Sequence, residues 1–205
     1  MKKTLLAAAV LAVASFGASA AENTAGTAAN GISYTYVEGD YVARTLDMDM
    51  NTDVDFNGFG VKGSYEIGDQ FHVFGSYNKV NNDDFFDIDL DETQVGFGWH
   101  KSIADNADAI VELSWLRQGV DVSVLGVSAD DHADGYRASA GFRGAFNDYV
   151  NGTFKVNYTD GSDFKSEFTP SFGVEVKFND MFSAVADAEV GNGNKMYSIG
   201  LRANF

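Results

Sequence analysis

The sequence predicts an all-β, transmembrane antiparallel up-and-down barrel of ten strands, and three observations predict it. Ten runs of roughly ten residues carry period-two apolar alternation, with no helical periodicity among them. The connections between runs alternate between tight and long. Aromatic side chains gather at both ends of the runs, as they do at the two faces of a bilayer.

The chain opens on MKKTLLAAAVLAVASFGASA, with a basic start at Lys2 and Lys3 and an apolar centre from Leu5 to Phe16. Ala18 and Ala20 frame an A-x-A cleavage site, so residues 1–20 read as a secretory signal peptide and 21–205 as the mature barrel domain. The formal charge of −16 includes two signal lysines, which leaves the mature domain at −18. Such acidity argues against a nucleic-acid partner. The chain has no cysteine, so disulfides do not stabilise this exported domain. No apolar run after the signal reaches the ~18 residues of a membrane helix. At 14% aromatics the chain is too rich in large side chains for a disordered tract.

Taken in order, the first run is SYTYVEGDYV, whose facing switches near Val37. FGVKGSY follows with Phe59, Val61, Gly63 and Tyr65 on one side; FHVFGSY repeats the pattern at Phe71, Val73, Gly75 and Tyr77. QVGFGWH sets Val95, Phe97 and Trp99 against Gln94, Gly96, Gly98 and His100. The remaining runs are Ala109–Trp115, Tyr136–Phe146, Val150–Tyr158, Phe172–Phe178, Phe182–Val190 and Tyr197–Phe205. In the last, Tyr197, Ile199, Leu201, Ala203 and Phe205 share one face, and the alternation tightens toward the final residue, where soluble domains usually fray.

The connections EIGDQ, SIADN, ND and ND are tight, whereas 45–56, 80–90, 118–134 and 159–168 are long and polar, and GNGNK is brief. Short turns at one end and longer loops at the other describe an outer-membrane barrel with its short turns in the periplasm. An even strand number leaves both termini on that side. Eight strands is the alternative, should the first run or the Ala109 run be coil or plug. Tyr65, Phe71, Trp99, Phe146, Phe178, Phe182 and Phe205 lie beside the short turns, and Tyr77, Trp115, Tyr136, Tyr158 and Tyr197 at the long-loop ends. Two such rings match the girdles of a membrane barrel; a soluble β-sandwich demands neither.

The closing SIGLRANF resembles the outer-membrane β-signal: a polar residue, a glycine and spaced hydrophobics leading to a terminal aromatic. Ser198, Gly200, Ala203 and Phe205 occupy those positions, Ala203 standing where a larger residue is usual. The resemblance implies recognition by the barrel-assembly machinery. SYTYVEGDYV, FHVFGSYNKV and VEVKFN resemble small porin-like barrels of the Ax-twenty-one family. That likeness implies an outer-membrane location and no particular activity.

Two motifs look catalytic or metal-binding and are better explained otherwise. GFGVKG matches G-x-G-x-x-G, but a strand runs through it where the dinucleotide fingerprint needs a strand-to-helix turn, so Gly58 and Gly60 read as room inside a narrow barrel. DVDFNG copies the first half of an EF-hand loop, yet the twelfth position is Ser64 where a bidentate glutamate belongs. The acidic residues as a group are more informative. Asp47, Asp49, Asp53 and Asp55 fall in the first long loop, Asp87, Asp89 and Asp91 beside the second with Ile88 and Leu90 on the opposite face, and Asp121, Asp130, Asp131 and Asp134 in the third. They would solvate an exposed rim, or attract Ca²⁺ or Mg²⁺ and bridge to lipopolysaccharide phosphates. His72, His100 and His132 are the only histidines, and none is placed beside a serine on the lipid face.

The inward positions carry Lys62, Arg137, Arg143, Lys155, Lys177 and Arg202 against Glu38, Glu112, Glu175, Asp187 and Glu189. Near balance in a narrow bore favours pairing, since an unpaired charge away from water is costly. A selective channel would show one dominant sign. The sequence therefore reads as a non-enzymatic, monomeric outer-membrane barrel with a plugged lumen, in a structural or surface-interaction role. A weakly selective pore is the second reading, and a lipid-modifying esterase the third. No cofactor is expected beyond the divalent cations. Mid-depth Glu112, Lys155, Glu175 and Asp187 are expected to join one network.

Overall fold

The computed structural model describes residues 31–48, 52–82, 87–124, 127–161, 166–191 and 193–205; the signal peptide with Ala18 and Ala20 lies outside them. Alternation becomes ten strands: β1 (Tyr36–Met48), β2 (Thr52–Ile67), β3 (Phe71–Asn82), β4 (Asp87–Ala104), β5 (Ala107–Val124), β6 (Val127–Asn147), β7 (Val150–Gly161), β8 (Glu167–Lys177), β9 (Phe182–Val190) and β10 (Asn194–Asn204). Each pairs antiparallel with its sequence neighbours, and β10 returns to β1, so the sheet closes on itself. Closure leaves no edge to satisfy, which is what lets a sheet cross a bilayer. The first run and the Ala109 run are both wall strands, β1 and β5, which removes the eight-strand alternative.

The outward face is an apolar belt that includes Phe59, Val61, Val95, Phe97, Leu113, Phe142, Phe172, Ile199 and Leu201, all exposed. A belt of this extent on a water-soluble surface would drive association; facing lipid it is stable. Aromatic rings bound it as expected: Tyr65, Phe71, Phe146 and Phe182 at the short-turn end, and Tyr77, Trp115, Tyr136 and Tyr197 at the other. Trp115 and Tyr136 are register partners, so that girdle is continuous across β5 and β6.

Local chemistry builds the short turns. In both ND turns the Asn side chain accepts from the backbone two and three residues on: Asn147 from Tyr149 and Val150, Asn179 from Met181 and Phe182. Gly68, at φ 66°, turns β2 into β3. Gly58 marks close approach of β2 to β3, because a Cβ there would lie 1.9 Å from the Lys79 carbonyl oxygen.

Two expectations need correction. The long connections are largely strand: β4, β5 and β6 run to 18, 18 and 21 residues, about twice the 9–11 that a tilted membrane strand needs. Asp53, Asp55, Asp89, Asp91, Asp121 and Asp134 therefore sit on a β-ladder rather than in loops. The first run also begins later than its pattern suggests. The strand starts at Tyr36, and Ile32, Ser33, Tyr34 and Thr35 are all buried inside the bore, which accounts for the change of facing near Val37.

Candidate functional site

The chemistry lies in the bore, which is filled at three levels. At the short-turn end residues 31–35 cross the mouth. Ile32 and Tyr34 pack with Ile110 as a small apolar cluster. The Tyr34 ring stacks on His100 at 3.7 Å and on His72 at 5.1 Å, with the Arg143 guanidinium 5.3 Å from its centroid. Its hydroxyl donates to Asp108 at 3.1 Å. Arg143 donates to the Ser33 carbonyl at 2.8 Å, Lys177 to the Gly31 carbonyl, and the Glu66 amide to the Thr35 hydroxyl at 3.1 Å. Burying each large side chain here is worth about 2 kcal/mol.

The middle level is charged. Glu38 lies in register between Arg202 on β10 and Lys62 on β2, and pairs with both, at 2.6 Å and 2.8 Å. Lys62 also reaches Asp40 at 3.2 Å and, across the bore, Asp187 at 2.6 Å. Arg202 extends to Glu175 at 3.5 Å, and Arg143 meets the same carboxylate at 3.0 Å. Ser183, Asn204 and Asn151 donate to Glu175 as well, so this buried carboxylate is heavily solvated by protein. Lys155 pairs with Glu112 at 2.9 Å, and His72 Nε2 lies 3.4 Å from Glu112. Arg137 meets Glu189 at 3.2 Å.

The bore thus brings its charges together as clusters. Glu175 and Asp187 join one chain through Arg202, Glu38 and Lys62, whereas Glu112 and Lys155 form a second with His72. Lys177 serves the residue 31–35 segment instead. Sequence reasoning missed Asp40, Arg44 and Glu92, of which Arg44 and Glu92 pair at 3.7 Å. Their signal was parity: 38, 40 and 44 share a face, and so do 92 and 94. Between the paired groups lies a polar cavity of about 200 Å³, lined among others by Lys62, Ser64, Asn78, Glu112, Lys155 and Asp187.

The third level is apolar. Val42, Phe56, Val80 and Leu90 are buried inside the barrel, with Leu46, Val54, Ile88 and Met196 against them. These even-numbered positions line the inner wall of β1–β4 and, through Met196, β10 above the charged level, a cap that charge counting alone does not reveal.

The acidic residues form no ion cage among the described residues, where no three His, Asp or Glu side chains gather as metal ligands. Asp47 faces Asp53, and Asp89 faces Asp121 across the ladder. Asp55 accepts from Thr45 at 2.8 Å, and Lys79 pairs with Asp89 at 2.7 Å. Asp91 lies on β4 against Gly119. Asp49 and the side chain of Asp87 lie outside the described residues.

At the seam, Ser198 and Gly200 lie on the β10 ladder, and a Cβ on Gly200 would fall 2.3 Å from the Gly39 carbonyl oxygen, so glycine there permits close approach of β1. Ala203 is buried between its register partners Val37 and Phe182. Phe205 follows the strand, its amide donating to the Thr35 carbonyl at 3.0 Å.

Among solved structures, the chain is similar to the translocator domain of the autotransporter NalP from Neisseria meningitidis, at 10% identity and TM-score 0.50, over 97% of each chain. The fold is that of the outer-membrane β-barrels. Similar too are Ail, the attachment invasion locus protein of Yersinia pestis (15% identity, TM-score 0.48, 83% of this chain and 97% of that one), and the outer membrane protein OprG of Pseudomonas aeruginosa (11%, 0.45, 86% and 98%). Identities this low speak to fold and not to activity. No family model and no curated protein matches the chain.

Proposed function

We propose that the protein is a non-enzymatic outer-membrane barrel, closed along its bore, with a structural or surface-interaction role. The single observation that carries this reading is the filling of the bore at three levels: the residue 31–35 segment, the paired charges around Lys62 and Glu175, and the apolar cap around Phe56. In this reading the short turns face the periplasm, and the tall β4–β6 wall stands outside. The outward aspartates, Asp47 on β1, Asp53 and Asp55 on β2, and Asp89 and Asp91 on β4, attract Ca²⁺ or Mg²⁺ and through them lipopolysaccharide phosphates. The protein acts as a monomer, delivered by the barrel-assembly machinery through Ser198, Gly200, Ala203 and Phe205. The buried imidazoles support a structural use, since both stack on Tyr34.

Planar-bilayer recording tests the reading. The protein is expected to give no stable single-channel steps. Reproducible steps would replace it with the second reading, a small weakly selective pore, which the 200 Å³ polar cavity favours.

A further inference from the structure

We propose that the short-turn mouth of the bore is a peptide-binding site whose ligand is a short segment of the pattern aliphatic-x-Tyr, occupied here by the chain's own Gly31–Thr35. The inference rests on the closed-bore reading and goes on to name what the mouth recognises.

The contacts divide as peptide recognition does. Two cations read the main chain at alternate residues: Lys177 takes the Gly31 carbonyl and Arg143 the Ser33 carbonyl, the latter at 2.8 Å. Between them, side-chain pockets read sequence. Ile32 packs on Ile110, and Tyr34 enters a slot between His100 and Arg143, its hydroxyl donating to Asp108 at 3.1 Å. A phenol suits that slot because it offers a stacking face and a hydrogen-bond donor at once.

The slot does not depend on the covalent link to its occupant. The groups that make these contacts stand on β2, β3, β4, β5, β6 and β8, whereas the segment joins the wall through β1 at Tyr36. Wall partners also hold the recognition groups. Glu175 fixes Arg143 at 3.0 Å, Ser102 donates to Asp108 at 2.8 Å, and Glu112 lies 3.4 Å from His72. An unseated mouth therefore keeps its groups in place, and a preorganised site binds without the cost of ordering them.

A short tether presents its ligand at an effective concentration on the order of 1 mM. The segment stays seated only if the site binds it more tightly than that. The full-length Ile32→Ala/Tyr34→Ala variant should release the segment and bind a labelled Gly-Ile-Ser-Tyr-Thr peptide in detergent with a Kd below ~1 mM. The unaltered protein should bind it at least ~10-fold more weakly, and the peptide with Ala in place of Tyr should lose binding. A refolded, heat-modifiable double variant that ignores millimolar peptide, or equal binding to both proteins, overturns the proposal. If the double variant does not refold, Tyr34→Phe decides. Loss of the hydroxyl should speed amide exchange at Thr35 by at least ~10-fold with the barrel strands unchanged, and unchanged exchange overturns the proposal. Conductance of the unaltered protein reports on the closed bore by itself. A silent protein with an indifferent mouth sinks only the present inference.

Discussion

Lys155 reaches past β6 to Glu112, with its side chain about a quarter exposed to the cavity. Replacing it by alanine leaves Glu112 with His72 alone of the two groups. Breaking a fully buried pair costs ~3–5 kcal/mol, and water in the cavity lowers that, so Lys155→Ala should lose about 2 kcal/mol in urea unfolding followed by gel mobility. Arg117 pairs bidentately with Asp134 on the outer surface, and Arg117→Ala should leave the midpoint unchanged. Equal effects from the two substitutions would mean that the bore is fully wet. Gly58→Ala should be worse than either, because the added carbon meets the Lys79 carbonyl, which the ladder holds in place. No loss of heat-modifiable protein in that variant would refute the close approach. At this scale the sequence was legible wherever parity was clear: Lys62, Arg143, Lys155, Glu175 and Arg202 lie inside as alternation requires. Which carboxylate each meets was not legible, since Lys62 finds Asp187 by reaching across from β2 to β9, and no local pattern encodes that register.

Strands β4–β6 show why strand ends were misread. Val120, Val122 and Val124 alternate with Asp121 and Ser123, a strand pattern, yet aspartate is depleted in strands and the stretch read as loop. Pairing overrides that propensity, with β5 and β6 in continuous register from Ala107↔Gly144 to Val124↔Val127. A protease needs its target strand unpaired, so trypsin should leave the exposed Arg117 uncut in the folded protein and cut it after boiling. Mass spectrometry of the digest checks this, and cleavage at Arg117 without boiling would place it in a loop after all. The first run shows the opposite error. Ile32 and Tyr34 alternate with Ser33 and Thr35 like a strand, but all four are buried, because the bore surrounds them and a segment enclosed on all sides needs no polar face.

Taken whole, the barrel sets an apolar belt outside against a filled bore, and its integrity leans little on its final side chain. The Phe205 contacts with the first described residues run through its backbone, from its amide to Thr35 and from the Ser33 hydroxyl to its carbonyl. Phe205→Ala keeps those bonds and should therefore impair assembly in cells far more than refolding in detergent. Normal insertion of that variant would remove the aromatic from the assembly signal.

The closure of β10 on β1 has a kinetic consequence. Every other pairing joins strands adjacent in sequence and can form hairpin by hairpin, with little loop entropy to overcome. The seam joins the two ends of the domain, so it has the highest contact order in the molecule and should form last. Because Ile32–Thr35 lead directly into β1, zipping the seam brings the segment to the mouth of the bore, where it seats without the seam reopening. A refolding trace should then show hairpin formation preceding a single slow phase of closure, with Tyr34 enclosed in that phase or after it and never before.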